Sequence, residues 1–362
     1  MTRRTQTQRD WPQVAAAFAA RVSHTALHPA AMLRARAEFL RETKRGGKAS
    51  RWALAFSGGA DSLALLLLLW AEGPGRWGRD FVVLHYNHRL RGRSSDADVK
   101  FCRDVCDALK VKFVAGSWAK APKGASAAMA RDARLGFFQR EMNRRELQLL
   151  FLAHQQDDIA ESMLMRLARG SGAGGLAAPR PVQRQADGRL HLRPLLTLRK
   201  TQIIAALRKS GAVWREDASN AESDHFRNRV RRQVLPAWER AAERDALAGA
   251  ARSRELLEED DVALDAWLAE LHPLDARGTL DLRKLAGRPR ALVRRALHRW
   301  LLAQTAEIHI SRQAFDSLLE AVCAGRETRQ SMSADGFAVL AGGRLRFRQV
   351  RKNTPRFHSR PN

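Results

Sequence analysis

The segment from Leu54 to Trp70 constrains the fold more than any other part of the sequence. A short apolar run at 54–56 is followed by the polar turn Ser57-Gly58-Gly59-Ala60-Asp61-Ser62 and then by a leucine-rich run at 63–70. This order predicts a strand, a loop and a helix, with the loop at the helix N-terminus. We call residues 57–62 the glycine loop. Because N–H groups at a helix start are unpaired and glycines let a ligand approach the main chain, the loop predicts an anion site.

The residue types of the glycine loop narrow the choice of anion. Ser57 and Ser62 add hydroxyl donors, and Asp61 supplies a carboxylate that can hold a metal ion or orient an amine. The lysine of a Walker-type loop is absent, so a bound nucleotide is expected to release pyrophosphate rather than to donate its γ-phosphoryl group. An ordinary Gly-Gly turn capped by Asp or Ser is the alternative.

Strand and helix patterns alternate after the glycine loop. Ser95 and Asp98 have the spacing of a capping box at the start of the second helix. Repeated β-α units of this length predict a doubly wound parallel sheet of the α/β class, with the ligand at the carboxyl ends of the strands. The predicted strands are 81–86, 111–115, 149–153 and 190–196, and the predicted helices are 95–109, 126–147, 157–169 and 199–210.

Polar residues follow two of these strands. His85, Arg89 and Arg91 come at the end of the second strand, which indicates nucleotide or RNA contact or a solvated basic loop. His154 and a set of acids, Asp157, Asp158 and Glu161, follow the strand at 149–153. The acids could hold Mg²⁺ or a cationic substrate, or could serve only as partners of a helix dipole.

Three further segments carry chemistry-bearing residues. Arg131 and Arg134 share a helix face, where they are either solvated or neutralise a departing pyrophosphate. The glycine-rich stretch 169–176 predicts a linker or a mobile loop without regular structure. A basic helix at 227–236 fits contact with backbone phosphates.

Composition bears on the partner and the compartment. Lysine and arginine outnumber aspartate and glutamate by 64 to 38, a formal net charge of +26, which favours a polyanionic partner. The three cysteines form neither a disulfide framework nor a Cys-x-x-Cys pair, which is typical of a reducing compartment, and we expect a cytoplasmic protein. No apolar run reaches the length of a membrane span, so no membrane association is expected.

Seven motifs, taken in order, resemble those of the tRNA(Ile)-lysidine synthetase family of N-type ATP pyrophosphatases, the PP-loop superfamily. They extend over about residues 50 to 240, and only the first is shared with the wider superfamily. The motifs are SGGADS at 57–62, HxxHxLR at 85–91, ARxxR at 130–134, AHxxDDxxE at 153–161, RGSG at 169–172, RPLL at 193–196 and EDxSN followed by RNxxR at 216–231.

The resemblance implies a ligase that forms a carbon–nitrogen bond in two steps. ATP adenylates the carbonyl oxygen of the wobble cytidine of a tRNA(Ile) with a CAU anticodon, and the ε-amine of free L-lysine then attacks that carbon. The products are lysidine, AMP and pyrophosphate. Adenylation is needed because oxide is a poor leaving group, and the incoming lysine must lose a proton to become a nucleophile.

The resemblance also implies roles for individual residues, with ATP and Mg²⁺ as cofactors. Catalytic roles fall to Asp61, Arg131 and Asp158, and Asp61 is also the expected metal ligand. Lysine binding falls to Asp157, Asp158 and Glu161. ATP binding falls to Ser57, Gly58, Gly59, Ala60, Asp61, Ser62, His85 and His154, and tRNA binding to Arg89, Arg91, Arg227, Arg231 and Arg232. Three positions depart from the family pattern, namely Asn87, Gln155 and Ile159.

The predicted organisation has a catalytic domain and a smaller, mostly helical C-terminal domain that ends in a β-hairpin with its turn at 341–342. In order, the predicted parts are a basic N-terminal extension (1–48) with a helix near 30–42, a PP-loop ATP pyrophosphatase catalytic domain (49–224), a basic linker helix (225–248), a C-terminal tRNA-binding domain (249–350) and a basic tail (351–362).

Two other interpretations stay open at this point. One is a different adenylating enzyme of tRNA modification on the same loop, although the paired cysteines of a thiolase are absent. The other is a non-catalytic basic RNA-binding protein. The sequence leaves the oligomeric state open, with a homodimer as one option.

Overall fold

The computed structural model describes residues 9–22, 37, 41, 52–76, 81–90, 93–118, 122, 124–216, 226–304, 311–333 and 336–349. Arg91, the predicted tail 351–362 and most of the predicted helix at 30–42 lie outside the described residues. The chain divides into two compact units, Met1–Glu258 and Glu259–Asn362.

The first unit is built on a six-stranded sheet in the order β3-β2-β1-β4-β6-β5. All neighbouring pairs are parallel except β5 and β6, and β1 at the centre pairs Ala53 with Val82 of β2 and with Leu150 of β4. The predicted doubly wound α/β fold is confirmed. The strands are β1 Trp52–Ala55, β2 Phe81–Asn87, β3 Lys112–Ser117, β4 Leu149–Phe151, β5 Val182–Arg184 and β6 Leu190–Leu192.

Helices cover both faces of this sheet because successive strand residues point to opposite faces and both sets are apolar. Trp52 and Leu54 pack with α1, α2, α3 and α7 on one face, while Ala53 packs with Phe137 and Phe138 of α4 on the other. The helices are α1 Trp11–Arg21, α2 Ala60–Arg76, α3 Arg93–Ala108, α4 Ala127–Arg144, α5 Gln156–Leu167, α6 Ala173–Leu176, α7 Lys200–Lys209, α8 Phe226–Arg229, α9 Leu235–Ala241 and α10 Ala246–Leu271.

Helix α1 was not predicted from the sequence. Asp10 caps it by accepting a hydrogen bond from the Gln13 N–H at 3.0 Å, and Trp11, Val14 and Phe18 are buried in the main core. The short, alanine-rich apolar run was interpreted as part of a basic extension. In the structure, this part of the extension belongs to the core of the first unit.

Several predicted boundaries differ from the structure. Helix α3 begins at Arg93, so Ser95 and Asp98 lie within it and do not cap it. The strand predicted at 190–196 ends at Leu192, because Pro194 starts a 3₁₀ turn, Pro194–Thr197. The glycine-rich stretch 169–176 is not wholly irregular, since it contains the short helix α6.

The second unit contains a four-stranded antiparallel sheet in the order β7-β10-β9-β8. The predicted hairpin is confirmed as β9 and β10, but its turn lies one residue later, at Gly342 and Gly343, with φ +57 and +71. Strands β7 and β8 were not predicted. The elements are β7 Leu280–Asp281, a 3₁₀ turn Leu282–Leu285, α11 Arg290–Gln304, α12 Arg312–Cys323, β8 Thr328–Ser333, β9 Gly336–Ala341 and β10 Arg344–Gln349.

Alternation along β10 divides the sheet of the second unit into two unlike faces. Leu345 is buried with Leu340, Trp300 and Leu318 in the core of this unit. The opposite face carries exposed Arg344, Arg346 and Arg348 of β10 and Arg329 of β8. None of the described helices combines the length and the apolar character that crossing a bilayer requires.

Candidate active site

The carboxyl ends of β2, β1, β4 and β6 lie side by side at one edge of the first unit's sheet. His85 lies near the end of β2, the glycine loop follows β1, His154 follows β4 and Arg193 follows β6. Parallel strands therefore bring together residues that are more than one hundred positions apart in the sequence. This is the edge where ligands bind in open α/β sheets.

The glycine loop is held open by its own serines. The Ser62 hydroxyl donates to the Gly59 carbonyl at 3.0 Å and accepts from the Ser57 N–H at 3.2 Å, and the two hydroxyl oxygens lie 3.0 Å apart. Gly58 has φ +86, and a Cβ there would lie 3.0 Å from Cys102 Sγ. Only glycine tolerates both this positive φ and this close contact, so the geometry of the loop requires glycine at position 58.

Arg215 packs against the glycine loop. The Arg215 N–H donates to the Gly58 carbonyl at 2.9 Å, and Arg215 Nε donates to Asp98 at 2.7 Å. Arg215 was not predicted as a site residue. Its role in the loop is structural, and only its position just before the predicted motif at 216–231 could have drawn attention to it.

Asp61 occupies a poorly solvated position in the first turn of α2. Burial is the main cause that raises its pKa from 3.8 to about 6; Lys200 opposes this shift, while Asp158 and Asp157 add to it. Lys200 Nζ lies 3.9 Å from Oδ2, while Oδ1 is buried without a hydrogen-bond partner among the described residues. One carboxylate oxygen is thus available to a cation. Lys200 was missed, because it was interpreted only as part of a helix start.

His85 bridges the loop and the second strand. Its Nδ1 lies 2.8 Å from the Phe56 carbonyl, which can only accept, so Nδ1 carries the proton. Burial lowers the pKa of His85. The ring is therefore neutral near pH 7, and Nε2 is left as an acceptor.

The departure at Asn87 has a structural explanation. Its side chain donates to Asp96 at 3.1 Å and accepts from the Arg89 N–H at 2.8 Å, and so shapes a turn in which Arg89 has φ +54. An acid at this position would repel Asp96. Arg89 itself is exposed.

Asp158 and Glu161 form a buried acid pair with two arginines. Arg227 donates to Asp158 Oδ1 at 2.5 Å and to Glu161 Oε2 at 2.7 Å. Arg231, in the π-helical turn Val230–Val234, donates to both oxygens of Glu161. We call these four residues the acid–arginine cluster. It brings two predicted lysine-binding residues together with two predicted tRNA-binding residues.

Asp157 faces another way and serves the start of α7. Its Oδ2 accepts from the Lys200 N–H at 3.0 Å, and its own N–H donates to the Gln155 side chain at 2.7 Å. Asp158 Oδ2 accepts from the Gln155 N–H at 2.9 Å, which completes a capping box. Gln155 therefore acts as a helix cap, and Ile159 is buried.

A second group of arginines is coupled electrostatically to His154. Arg131 and Arg134 of α4, Arg166 of α5 and Arg193 all act electrostatically on one another or on His154. Burial and then the surrounding arginines hold the pKa of His154 well below its ordinary value. His154 is therefore neutral near pH 7.

Of the remaining predicted tRNA-binding residues, Arg232 is exposed.

The described residues contain no group of three or more His, Cys, Asp or Glu side chains that could hold a metal ion. This argues against an all-protein metal cage within the described part of the chain. It is compatible with Mg²⁺, which is commonly bound by one or two carboxylates together with substrate phosphates.

A sequence profile for a PP-loop domain matches residues 31–238, more than half of the chain. The chain belongs to the PP-loop domain family. The matched residues include the glycine loop, the acid–arginine cluster and the basic residues around His154, so the whole candidate site lies in the PP-loop domain.

Curated relatives of this PP-loop domain are named tRNA(Ile)-lysidine synthase. The protein of Bacillus subtilis is 39% identical over 50% of this chain and 39% of its own length, and that of Bacillus licheniformis is 33% identical over 67% of this chain and 52% of its own length. The chain thus spans about half or less of the length of these relatives. A solved structure, the U34-tRNA thiolase NcsA of Methanococcus maripaludis with its [4Fe-4S] cluster, aligns with a TM-score of 0.48 at 16% identity over 63% of this chain and 79% of that chain.

Proposed function

We propose that this protein is a tRNA(Ile)-lysidine synthase. It adenylates the wobble cytidine of tRNA(Ile) with a CAU anticodon and then joins the ε-amine of free L-lysine to that base. The observation that carries the proposal is the position of Asp61 between a nucleotide-type glycine loop and buried acids that suit a cationic substrate. The names of the curated relatives support the same activity.

In the first step of this proposal, the glycine loop binds the phosphates of ATP. The N–H groups of the first turn of α2, together with the missing Cβ atoms of Gly58 and Gly59 in the preceding loop, suit a phosphate. The cytosine carbonyl oxygen attacks the α-phosphorus, the bond to the β-phosphate oxygen breaks, and pyrophosphate leaves. Arg131, which is exposed on α4, is proposed to balance the charge of the pyrophosphate.

Asp61 is the residue proposed to hold Mg²⁺. Its Oδ1 is buried without a hydrogen-bond partner among the described residues, and burial raises its pKa, so a cation at this oxygen would stabilise the ionised carboxylate. When bound there, Mg²⁺ would neutralise negative charge on the phosphates. Lys200, 3.9 Å from the other oxygen, keeps the carboxylate oriented in this proposal.

In the second step, Asp158 and Glu161 receive the side chain of lysine. The ε-ammonium transfers a proton to one of these carboxylates, the resulting amine attacks the activated carbon of the base, and AMP leaves with the electrons of the carbon–oxygen bond. Both acids are already paired with Arg227 and Arg231. A lysine ammonium therefore has to share these carboxylates with the arginines or to displace them.

The tRNA is proposed to contact both units through arginine. In the first unit the exposed candidates are Arg89 and Arg232. In the second unit the open sheet face presents a row of arginines about 7 Å apart along β10, as alternation in a strand requires. Arg329 also lies 4.4 Å from the centre of the Phe337 ring on this face. The substrates of the proposed reaction would make this a cytoplasmic enzyme. The oligomeric state stays open, with a homodimer as one option.

The test is transfer of labelled lysine into RNA. Protein is incubated with ATP, Mg²⁺, labelled lysine and a tRNA(Ile) transcript with a CAU anticodon, and label in the RNA is measured. The controls omit ATP or replace the target cytidine by uridine. ATP-dependent label only in the cytidine transcript supports the proposal. Pyrophosphate release without label would instead indicate another adenylating enzyme, and neither signal would indicate a binding protein.

A further inference from the structure

Arg134 and Arg193 act electrostatically on His154, and Arg166 acts on Arg193; we call these four residues the basic basin. The four residues come from three different parts of the fold: α4, the β4–α5 segment with α5, and the end of β6. Strands β4 and β6 pair Phe151 with Leu192, and the Leu152 N–H still donates to the Leu192 carbonyl at 2.8 Å. His154 and Arg193 therefore leave the sheet next to each other.

The basin holds charge that no acid in it compensates. Arg193 is 6% exposed, and within the described ranges its guanidinium donates only to neutral oxygens, the Arg180 carbonyl at 2.8 Å and the Gln183 side chain at 2.9 Å. Arg166 donates to the Gly175 carbonyl. Among the described residues, no carboxylate pairs with Arg134 or Arg193.

Two buried polar atoms in the basin have no partner in the described part of the chain. They are Nε of Arg193 and Nδ1 of His154. A buried guanidinium is stable only when an anion compensates it, and a buried donor without an acceptor is unfavourable by about 1–3 kcal/mol. An anion with several oxygens would compensate the charge of Arg193 and accept hydrogen bonds from these atoms.

The basin and Asp61 of the glycine loop have different charged neighbours. The charges that act most strongly on Asp61 are those of Lys200, Asp158, Arg231 and Asp157, and none belongs to the basin. Arg227 connects the acid–arginine cluster with the basin, because it donates to Asp158 and also acts electrostatically on His154 and Arg134. An anion in the basin would thus meet other charged groups than a phosphate beside Asp61.

We propose that the basin binds a backbone phosphate of the RNA next to the nucleotide that is modified, with Arg134 and Arg193 as its two contacts. This rests on the proposed function, because it takes RNA as the second substrate. A phosphate whose neighbours along the chain are also charged suits several guanidinium groups better than a single amino-acid carboxylate does. Fixing this phosphate positions the target base between the basin and the glycine loop.

The first test is RNA binding in the absence of ATP and lysine. Arg134→Gln and Arg193→Gln are compared with Arg208→Gln, which removes the same charge from an exposed position of α7. The probe is a fluorescent anticodon stem-loop RNA with a CAU anticodon, titrated at several salt concentrations. We expect each basin variant to bind about ten-fold more weakly, with a salt slope smaller by about 0.7–1, and the control to match the parent.

The second test removes the phosphate charge instead. A methylphosphonate replaces the phosphate on either side of the target cytidine, and the effect is measured on the parent and on Arg134→Gln. If the basin binds that phosphate, the RNA change weakens the parent by about ten-fold and leaves the variant almost unaffected. Equal losses in both proteins at both phosphates overturn the proposal.

Other sources of an anion give different results. Unchanged RNA affinity with weaker inhibition by pyrophosphate would assign the basin to the leaving group, and unchanged RNA affinity with a raised KM for lysine would assign it to the amino-acid carboxylate. Either outcome overturns the proposal. Because Arg134 makes no hydrogen bond among the described residues, Arg134→Gln is expected to keep the parent's Tm, so a failure of Arg193→Gln to fold leaves the test intact.

Binding and catalysis also separate this proposal from the proposed function. If no lysine is transferred but the basin variants and the methylphosphonates weaken RNA binding as stated, the basin stands and the reaction is a different one. If lysine is transferred and RNA binding ignores both changes, the reaction stands and the basin proposal fails.

Discussion

Arg227 Nη2 lies 2.5 Å from Asp158 Oδ1, and the same guanidinium donates through Nε to Glu161 at 2.7 Å. Glu161 is fully buried, and Arg231 completes its set of donors. The segment that begins at Phe226 is thereby attached to the start of α5, where the acids are located. A small core of Ala160, Val230, Leu235, Leu247 and Ala250 lies beside these ion pairs.

The first prediction is that Arg227→Ala destabilises the protein. The change leaves Asp158 and buried Glu161 with one donor fewer, and truncating one partner of such a pair is unfavourable by about 2 kcal/mol when the arginine is partly exposed. The measurement is the midpoint of urea unfolding. Gln233→Ala, an exposed change in the same turn, is the control and should stay within about 0.5 kcal/mol of the parent. Equal midpoints for the two variants would contradict the role of Arg227.

The second prediction concerns Gly58. Gly58→Ala places a side chain at φ +86 and puts its Cβ 3.0 Å from Cys102 Sγ. We therefore expect the free energy of unfolding to fall by about 1–3 kcal/mol and the KM for ATP to rise strongly. Gly249→Ala is the matched control, because this helical glycine has open space around it and alanine should stabilise the helix by about 0.5–1 kcal/mol. A lower Tm for Gly58→Ala together with a higher Tm for Gly249→Ala would confirm the argument. A stable, active Gly58→Ala would contradict it.

The parallel sheet could be predicted from the sequence because each strand is a short apolar run followed by turn residues. The predictions failed for two reasons. Helix α1 has clear local signals, the capping Asp10 and apolar residues at helical spacing from Trp11 to Phe18, but its segment was grouped with the basic extension. The missed strands of the second unit have weak local signals. Strand β7 has only two residues, and β8 carries polar residues on its exposed face. Such strands are defined by their neighbours and not by their own pattern.

In the candidate site, too, some residues could be assigned from the sequence and others could not. Residues within one motif, such as the glycine loop and the acids of α5, were assigned to one site because their spacing fixes their proximity. The pairing of Arg227 with Asp158, 69 residues apart, depends on how α5 and α8 pack. Lys200 and Arg193 were not assigned roles for the same reason, because their neighbours come from distant parts of the chain.

The third prediction is a pH dependence that arises from His191. Burial, and then Arg193, lower the pKa of this β6 histidine from 6.5 to about 4. The unfolded state therefore binds more protons between pH 6.5 and 4, so this contribution to stability is complete above pH 6.5, is lost as the pH falls from 6.5 to 4, and changes little below 4. His191→Asn should remove about 2–3 kcal/mol of this dependence. The check is the difference between the Tm curves of parent and variant from pH 4 to 8, and parallel curves would exclude His191 as the cause.

The fourth prediction tests Asp61 in the proposed first step. Asp61→Asn keeps the shape of the side chain but removes the charge that is proposed to hold Mg²⁺, so adenylation of the tRNA without lysine should fall by at least about 10²-fold. The measurement is pyrophosphate release with a CAU-anticodon tRNA. Asp132→Asn, an exposed acid of α4, is the control and should keep full activity. Normal adenylation by Asp61→Asn would remove Asp61 from the mechanism.

The fifth prediction separates lysine use from ATP use at Asp158. Asp158→Asn retains an oxygen that can accept from the Gln155 N–H, so α5 keeps its cap, while the charge that attracts a lysine ammonium is halved in the acid–arginine cluster. We expect the KM for lysine to rise by about ten-fold or more and the KM for ATP to change by less than about two-fold, because the phosphates bind at the glycine loop. Steady-state kinetics with each substrate varied in turn give both values. The reverse pattern, with ATP affected and lysine unchanged, would transfer Asp158 from the lysine pocket to the nucleotide site.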